Sequence, residues 1–131
     1  MAILTREQIL QADDLKRETV AVPEWGGEVM VRCLTGAERD EFETALIEFR
    51  GKNYNIRLAN ARARLTSLSV IDEDGQRLFS EADVVSLGQK SAAALDQVFD
   101  VAQRLSGLKP KDMEELLKNL PSGQNGGSTS A

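Results

Sequence analysis

The sequence contains no histidine. That absence removes the side chain most used for proton transfer near pH 7 and the commonest metal ligand. It excludes Ser-His-Asp and Cys-His nucleophile pairs, and zinc sites built on imidazole. Cysteine occurs once, as Cys33. No intrachain disulfide can form, no thiolate cluster can hold a metal, and a reducing compartment is permitted without being required. Aromatics are 5% of the chain, which leaves Leu, Val, Ile and Ala to build the core. No apolar run approaches the ~20 residues of a membrane span, and the first ten residues lack the basic-then-apolar pattern of a secretory signal. The cytoplasm is therefore the expected location. Positive charge is also in short supply, with 16 basic against 21 acidic residues and a formal net charge of −5. General duplex binding and docking on anionic lipid need the opposite balance, so neither nucleic acid nor membrane is an expected partner.

What remains is enough for one ordinary core. The 131 residues suit a single domain, and a chain of this size buries about two-thirds of the surface it exposes when unfolded. Thr5-Arg6-Glu7-Gln8 is a capping box and predicts a short helix over about 6–12. Residues 16–22 alternate, with Val20 and Val22 on one side and Thr19 and Ala21 on the other, until Pro23 ends the strand. Glu24-Trp25-Gly26-Gly27 is a turn in which both glycines can take positive φ. Residues 28–34 alternate again, Val29, Val31 and Cys33 sharing one face, which completes a β-hairpin.

Thr35-Gly36-Ala37-Glu38 is a second capping box. The helix after it carries Phe42, Ala45, Leu46 and Phe49 on one stripe, and Gly51-Lys52-Asn53 breaks the pattern. Residues 54–68 predict a helix with Ile56, Ala59 and Ala63 inward, and Leu58 and Leu65 as further candidates. Asp72-Glu73-Asp74-Gly75 is a turn, with residues 76–79 a candidate return strand. Ser80-Glu81-Ala82-Asp83 opens a short helix that ends near Gly88. Ser91 opens a longer one with Leu95, Val98, Phe99, Ala102 and Leu105 on one face and Gly107 as its stop. Pro110 suits the first turn of a last helix, which puts Met113, Leu116, Leu117 and Leu120 on one side. Residues 121–131 are too polar and glycine-rich to offset their ordering entropy and read as a flexible tail. The fold class expected is α+β: an N-terminal β-hairpin packed on a mainly helical core of four to five helices, in a single domain over 1–120.

Few residues group in a way that carries chemistry. The acidic run 72–75 lacks the spacing of a calcium loop, which needs glycine at position six and glutamate at twelve, so a solvated turn is the better reading. Arg50, Lys52, Arg57, Arg62 and Arg64 do not share one helical face and read as a solvated surface paired with acidic neighbours; the rival is a contact with RNA or an acidic protein. Neither glycine pair matches a phosphate-binding loop. Cys33 reads as a small core residue rather than a reactive thiolate, since no positive cluster surrounds it in sequence. No catalytic, cofactor or metal residue is assigned, and an enzyme is the least favoured class. Two features suit binding a protein. Trp25, the sole tryptophan, sits in a turn and is either an exposed anchor or folded back over the hairpin. Met113, Leu116, Leu117 and Leu120 either cover the domain's own core or fill a partner's groove.

Read in order, Asp13-Asp14-Leu15, Val20-Ala21-Val22-Pro23-Glu24-Trp25-Gly26-Gly27 and residues 31–40 (Val31-Arg32-Cys33-Leu34-Thr35-Gly36-Ala37-Glu38-Arg39-Asp40) resemble the tail assembly chaperones of siphophages and related prophages. Asp72-Glu73-Asp74-Gly75-Gln76-Arg77-Leu78-Phe79-Ser80, Ala102-Gln103-Arg104-Leu105-Ser106-Gly107-Leu108, Lys118-Asn119 and the Ser/Gly-rich tail extend the likeness over nearly the whole chain. No single motif is diagnostic; order and spacing carry it together. The resemblance implies a protein made in the host cytoplasm that binds the tape measure protein, keeps it soluble, helps recruit tail tube protein and is absent from the mature virion. In many such phages a translational frameshift adds a second domain near the point where this tail begins. Self-association is a further expectation, motivated by the few aromatics and the spare apolar helix. The alternative function is a permanent small structural tail or head–tail joining protein.

Overall fold

The computed structural model describes residues 2–50, 53–56 and 60–108. Strands β1 (Arg17–Val22) and β2 (Gly27–Arg32) form the predicted hairpin, Val20 opposite Val29 and Glu18 opposite Val31. The turn between them is a short 3-10 segment, Pro23–Trp25, closed by Gly26 at φ 78°. Of the two glycines only Gly26 takes the left-handed conformation, because Gly27 already begins β2. On its other edge β2 pairs with the two-residue β5 (Val70–Ile71), Val31 opposite Val70 and Met30 opposite Ile71. The result is a three-stranded antiparallel sheet in the order β1-β2-β5.

Alternation assigns the two faces of this sheet. Val20, Val22, Val31 and Val70 are buried on the face that receives helix α5 (Ala92–Leu105), while Thr19 and Ala21 are exposed on the other. Helix α5 presents Ala94, Leu95, Val98 and Ala102, all buried, and stops where Gly107 turns left-handed at φ 72°. Small residues at 94 and 102 let helix α3 (Ala61–Ser69) lie close against it. Helix α3 is enclosed along much of its length by α2 (Gly36–Ala45), α4 (Val84–Leu87) and α5. Its buried hydroxyls are each satisfied by a carbonyl of the helix itself: Thr66 donates to Arg62, Ser67 to Arg64 and Ser69 to Leu65, all at 2.8 Å. Such back-bonding removes the penalty of a bare hydroxyl in the core.

Helix α2 starts at the predicted box, where the Thr35 hydroxyl accepts from the Glu38 N–H at 3.0 Å and the Glu38 carboxylate accepts from the Thr35 N–H at 2.9 Å. It buries Phe42, and Leu46 follows it into the core. The same Glu38 holds Arg32 of β2 through two oxygens at 2.7 and 2.8 Å. The Ser106 hydroxyl at the end of α5 accepts from the Leu34 N–H at 2.9 Å, so hairpin, α2 and α5 are tied at one corner.

Two expectations fail between residues 46 and 60. The α2 stripe does not run on to Phe49: the helix ends at Ala45 and strand β3 (Ile47–Arg50) follows. The next helix does not begin at residue 54, because Asn53–Ile56 is strand β4, paired antiparallel with β3. Ile47, Phe49, Tyr54 and Ile56 are β-branched or aromatic residues of the kind that favour strands, and the register sets Ile47 opposite Ile56 and Phe49 opposite Tyr54. Cys33 is half-buried rather than a core residue, its thiol donating to the Leu34 carbonyl. Of the candidate return strand over 76–79 only a single bridge forms, Arg77 with Ile71, while Asp72 accepts from the N–H groups of Asp74 and Gln76 across the acidic turn. Helix α1 (Arg6–Gln11) has its box complete and buries none of its residues. The last predicted helix and the tail lie outside the described residues.

Candidate partner-binding site

Among the described residues no group of three or more His, Cys, Asp or Glu could hold a metal. Cys33 gains no activation from its surroundings. Burial pushes its thiol pKa up, the carboxylates of Asp14 and Glu38 add to the rise, and Arg32 and Lys16 only partly oppose it. A raised pKa leaves less thiolate to react.

The Trp25 turn has the character of a binding site. A groove of 510 Å³ opens between the hairpin turn and α4, lined by Glu24, Trp25, Phe79, Asp83, Ser86, Leu87 and Lys90. The turn geometry explains the place of Trp25. Pro23 and Gly26 fold the 3-10 segment back, and the ring packs on the main core while remaining partly open. Phe79 lies between the main core and the smaller cluster of Ala63, Val84 and Leu87, and packs on both. The far wall is fixed by another box, in which the Asp83 carboxylate accepts from the Ser80 N–H at 2.8 Å, starting the segment that leads into α4. Next to the lining residues, Val85 is 66% exposed.

The floor of this groove is aromatic and apolar, and its rim carries Glu24 and Asp83 against Lys90. One polar atom stands out. The indole N–H of Trp25 is buried and finds no acceptor among the described residues. A buried donor left unpaired costs about 1–3 kcal/mol, a local cost the free domain carries at this turn.

Trp25 is half-buried, leaning on its own core and forming one wall of an open groove. Its expected companions Met113, Leu116, Leu117 and Leu120 lie outside the described residues. The structure instead brings Phe79, Leu87 and Lys90 to Trp25. The sequence offered only a faint signal for them, an aromatic at the end of a candidate return strand. Of the basic segment, Arg62 pairs with Asp96 and lies 5.9 Å from the Phe99 ring centre, and Arg64 bonds Glu81 at 2.6 Å. Both are engaged as a solvated, paired surface would be. No helix among the described residues is long and apolar enough to cross a membrane.

Comparison with known proteins follows the same lines. A family model described as phage tail assembly chaperone matches residues 5–119. A solved structure of the bacteriophage HK97 tail assembly chaperone superposes with a TM-score of 0.55 at 21% identity, over 76% of this chain and 94% of that one, a likeness of fold. No curated protein matches the sequence.

Proposed function

The chain belongs to the phage tail assembly chaperone family, and we propose from this that it binds the tape measure protein during tail morphogenesis, keeps it soluble and helps recruit tail tube subunits. It works in the host cytoplasm and is absent from the finished virion. It acts by lending its surface and catalyses nothing. The family match carries this reading, and the geometry agrees with it. A long helix-rich partner exposes apolar faces that aggregate unless covered. The Trp25 groove offers a matching surface: aromatic walls and a charged rim.

In mechanism, the groove takes an apolar side chain from a helix of the partner between Trp25 and Phe79, while water keeps access to Glu24 and Lys90. Aromatic anchors of this kind dominate binding energy at interfaces. The chain's own net charge of −5 favours its solubility.

The test is co-purification. The tape measure protein encoded beside this chain is expected to copurify with wild-type chain, and Trp25→Ala is expected to weaken that association by about 2 kcal/mol or more. Mass spectrometry of purified virions is expected to find no stoichiometric copy. Finding one would replace this reading with that of a permanent tail protein.

A further inference from the structure

The sheet has a second groove on the face turned away from α5. It has a volume of 370 Å³ and is bounded by Met30, Ile71, Leu78, Glu28, Asp72 and Glu73, together with Thr19. The solvent face of an antiparallel sheet is ordinarily polar. Here Met30 is half-buried, Ile71 is 3% exposed while belonging to neither core cluster, and Leu78 is 51% exposed. Met30 and Leu78 therefore leave an apolar patch, with Ile71 buried beneath it, where water should be, on the face turned away from α5.

Its rim is acidic. Glu28 and Glu73 are exposed and make no ion pair with a described residue, and one oxygen of Asp72 serves the turn. The Arg17 guanidinium lies beside Met30, with Nη1 3.9 Å from the sulfur. Among the described residues the groove's lining holds three carboxylates and no cation around an apolar floor. The chain's own N-terminal arm is a poor fit for this rim, since residues 2–14 carry Glu7, Asp13 and Asp14 against Arg6 alone.

We infer that this groove is a second docking surface, separate from the Trp25 groove, whose occupant is a lysine- or arginine-bearing amphipathic segment of a protein partner. Apolar side chains of that segment lie over Met30, Ile71 and Leu78, and its cations meet Glu28, Asp72 and Glu73. Charge complementarity selects the occupant and sets its register. With a groove on each side of the hairpin, the domain can hold two segments at once.

The probe is a labelled amphipathic helical peptide of leucine and lysine, titrated into the full chain by fluorescence anisotropy beside a leucine–glutamate peptide of the same pattern. Wild type is expected to bind the lysine peptide, to reject the glutamate peptide and to lose affinity as salt screens the rim. Glu28→Lys with Glu73→Lys is expected to weaken binding by about tenfold or more. Leu78→Ser is expected to weaken it as well. Glu41→Lys with Glu43→Lys on α2, which makes the same change in net charge elsewhere, is expected to leave it unchanged. Because these positions are exposed or half-exposed, thermal melts should show every variant folded. Equal binding of both peptides, or equal loss in the α2 control, would overturn the inference, as would no binding at all. The probe contains no tape measure sequence, so this result stands apart from the fate of the chaperone reading.

Discussion

Helices α1 and α2 open on the same device and meet opposite fates. Thr5 and Gln8 close one box, with the Thr5 hydroxyl accepting from the Gln8 N–H at 3.2 Å; Thr35 and Glu38 close the other. Helix α1 then buries none of its own residues among those described, leaving Ile9 57% and Leu10 66% exposed. Helix α2 buries Phe42, and Glu38 also holds Arg32 of the sheet. A cap thus specifies where a helix begins, while packing decides how much stability depends on it. Isolated helices shorter than ~12–15 residues are marginal in water, and α1 has six residues.

Substitutions at the two sites separate these roles. The largest effect is expected at Phe42: Phe42→Ala opens a cavity among fully buried neighbours and should cost about 3–5 kcal/mol in a denaturant melt. Thr35→Ala removes one cap and should cost about 1 kcal/mol in the same melt. Cys33 beside this second box gives a smaller effect with a definite sign. Its folded-state pKa lies above the ordinary 9.0, so the unfolded chain loses the proton first. Stability is then expected to fall as pH climbs from about that ordinary value toward the raised one, and Cys33→Ala should remove that part of the decline. The smallest effect is expected at Thr5. Thr5→Ala should leave the global melt within about 0.5 kcal/mol of wild type, while amides of α1 exchange far faster than those of α5. A global loss at Thr5 equal to that at Thr35 would dissolve the contrast.

Much of this fold is legible in the residues because local and tertiary preferences agree there. Val20 and Val22 alternate with Thr19 and Ala21, and the sheet buries the valines alone. Asp72 to Gly75 reads as a turn and is one, and Ser91 and Gly107 bracket α5. The reading fails where two periods compete. Phe42, Ala45, Leu46 and Phe49 satisfy a helical stripe, yet Ile47 and Phe49 also alternate as a strand, and pairing with Tyr54 and Ile56 decides the matter. Which side chains meet at a groove is harder still to read. Trp25 stood out as a lone aromatic in a turn, but Phe79, Leu87 and Lys90 come to it from far along the chain. The outer groove left one sequence trace, Met30 between Glu28 and Arg32 on the wetter face of β2.

The soluble fraction of the tape measure protein, expressed alone, with wild-type chain and with Trp25→Ala, tests most directly the proposal that this domain works by covering a partner. It is expected to be low alone, high with wild type and reduced with the variant. Equal solubility in all three would contradict the proposal.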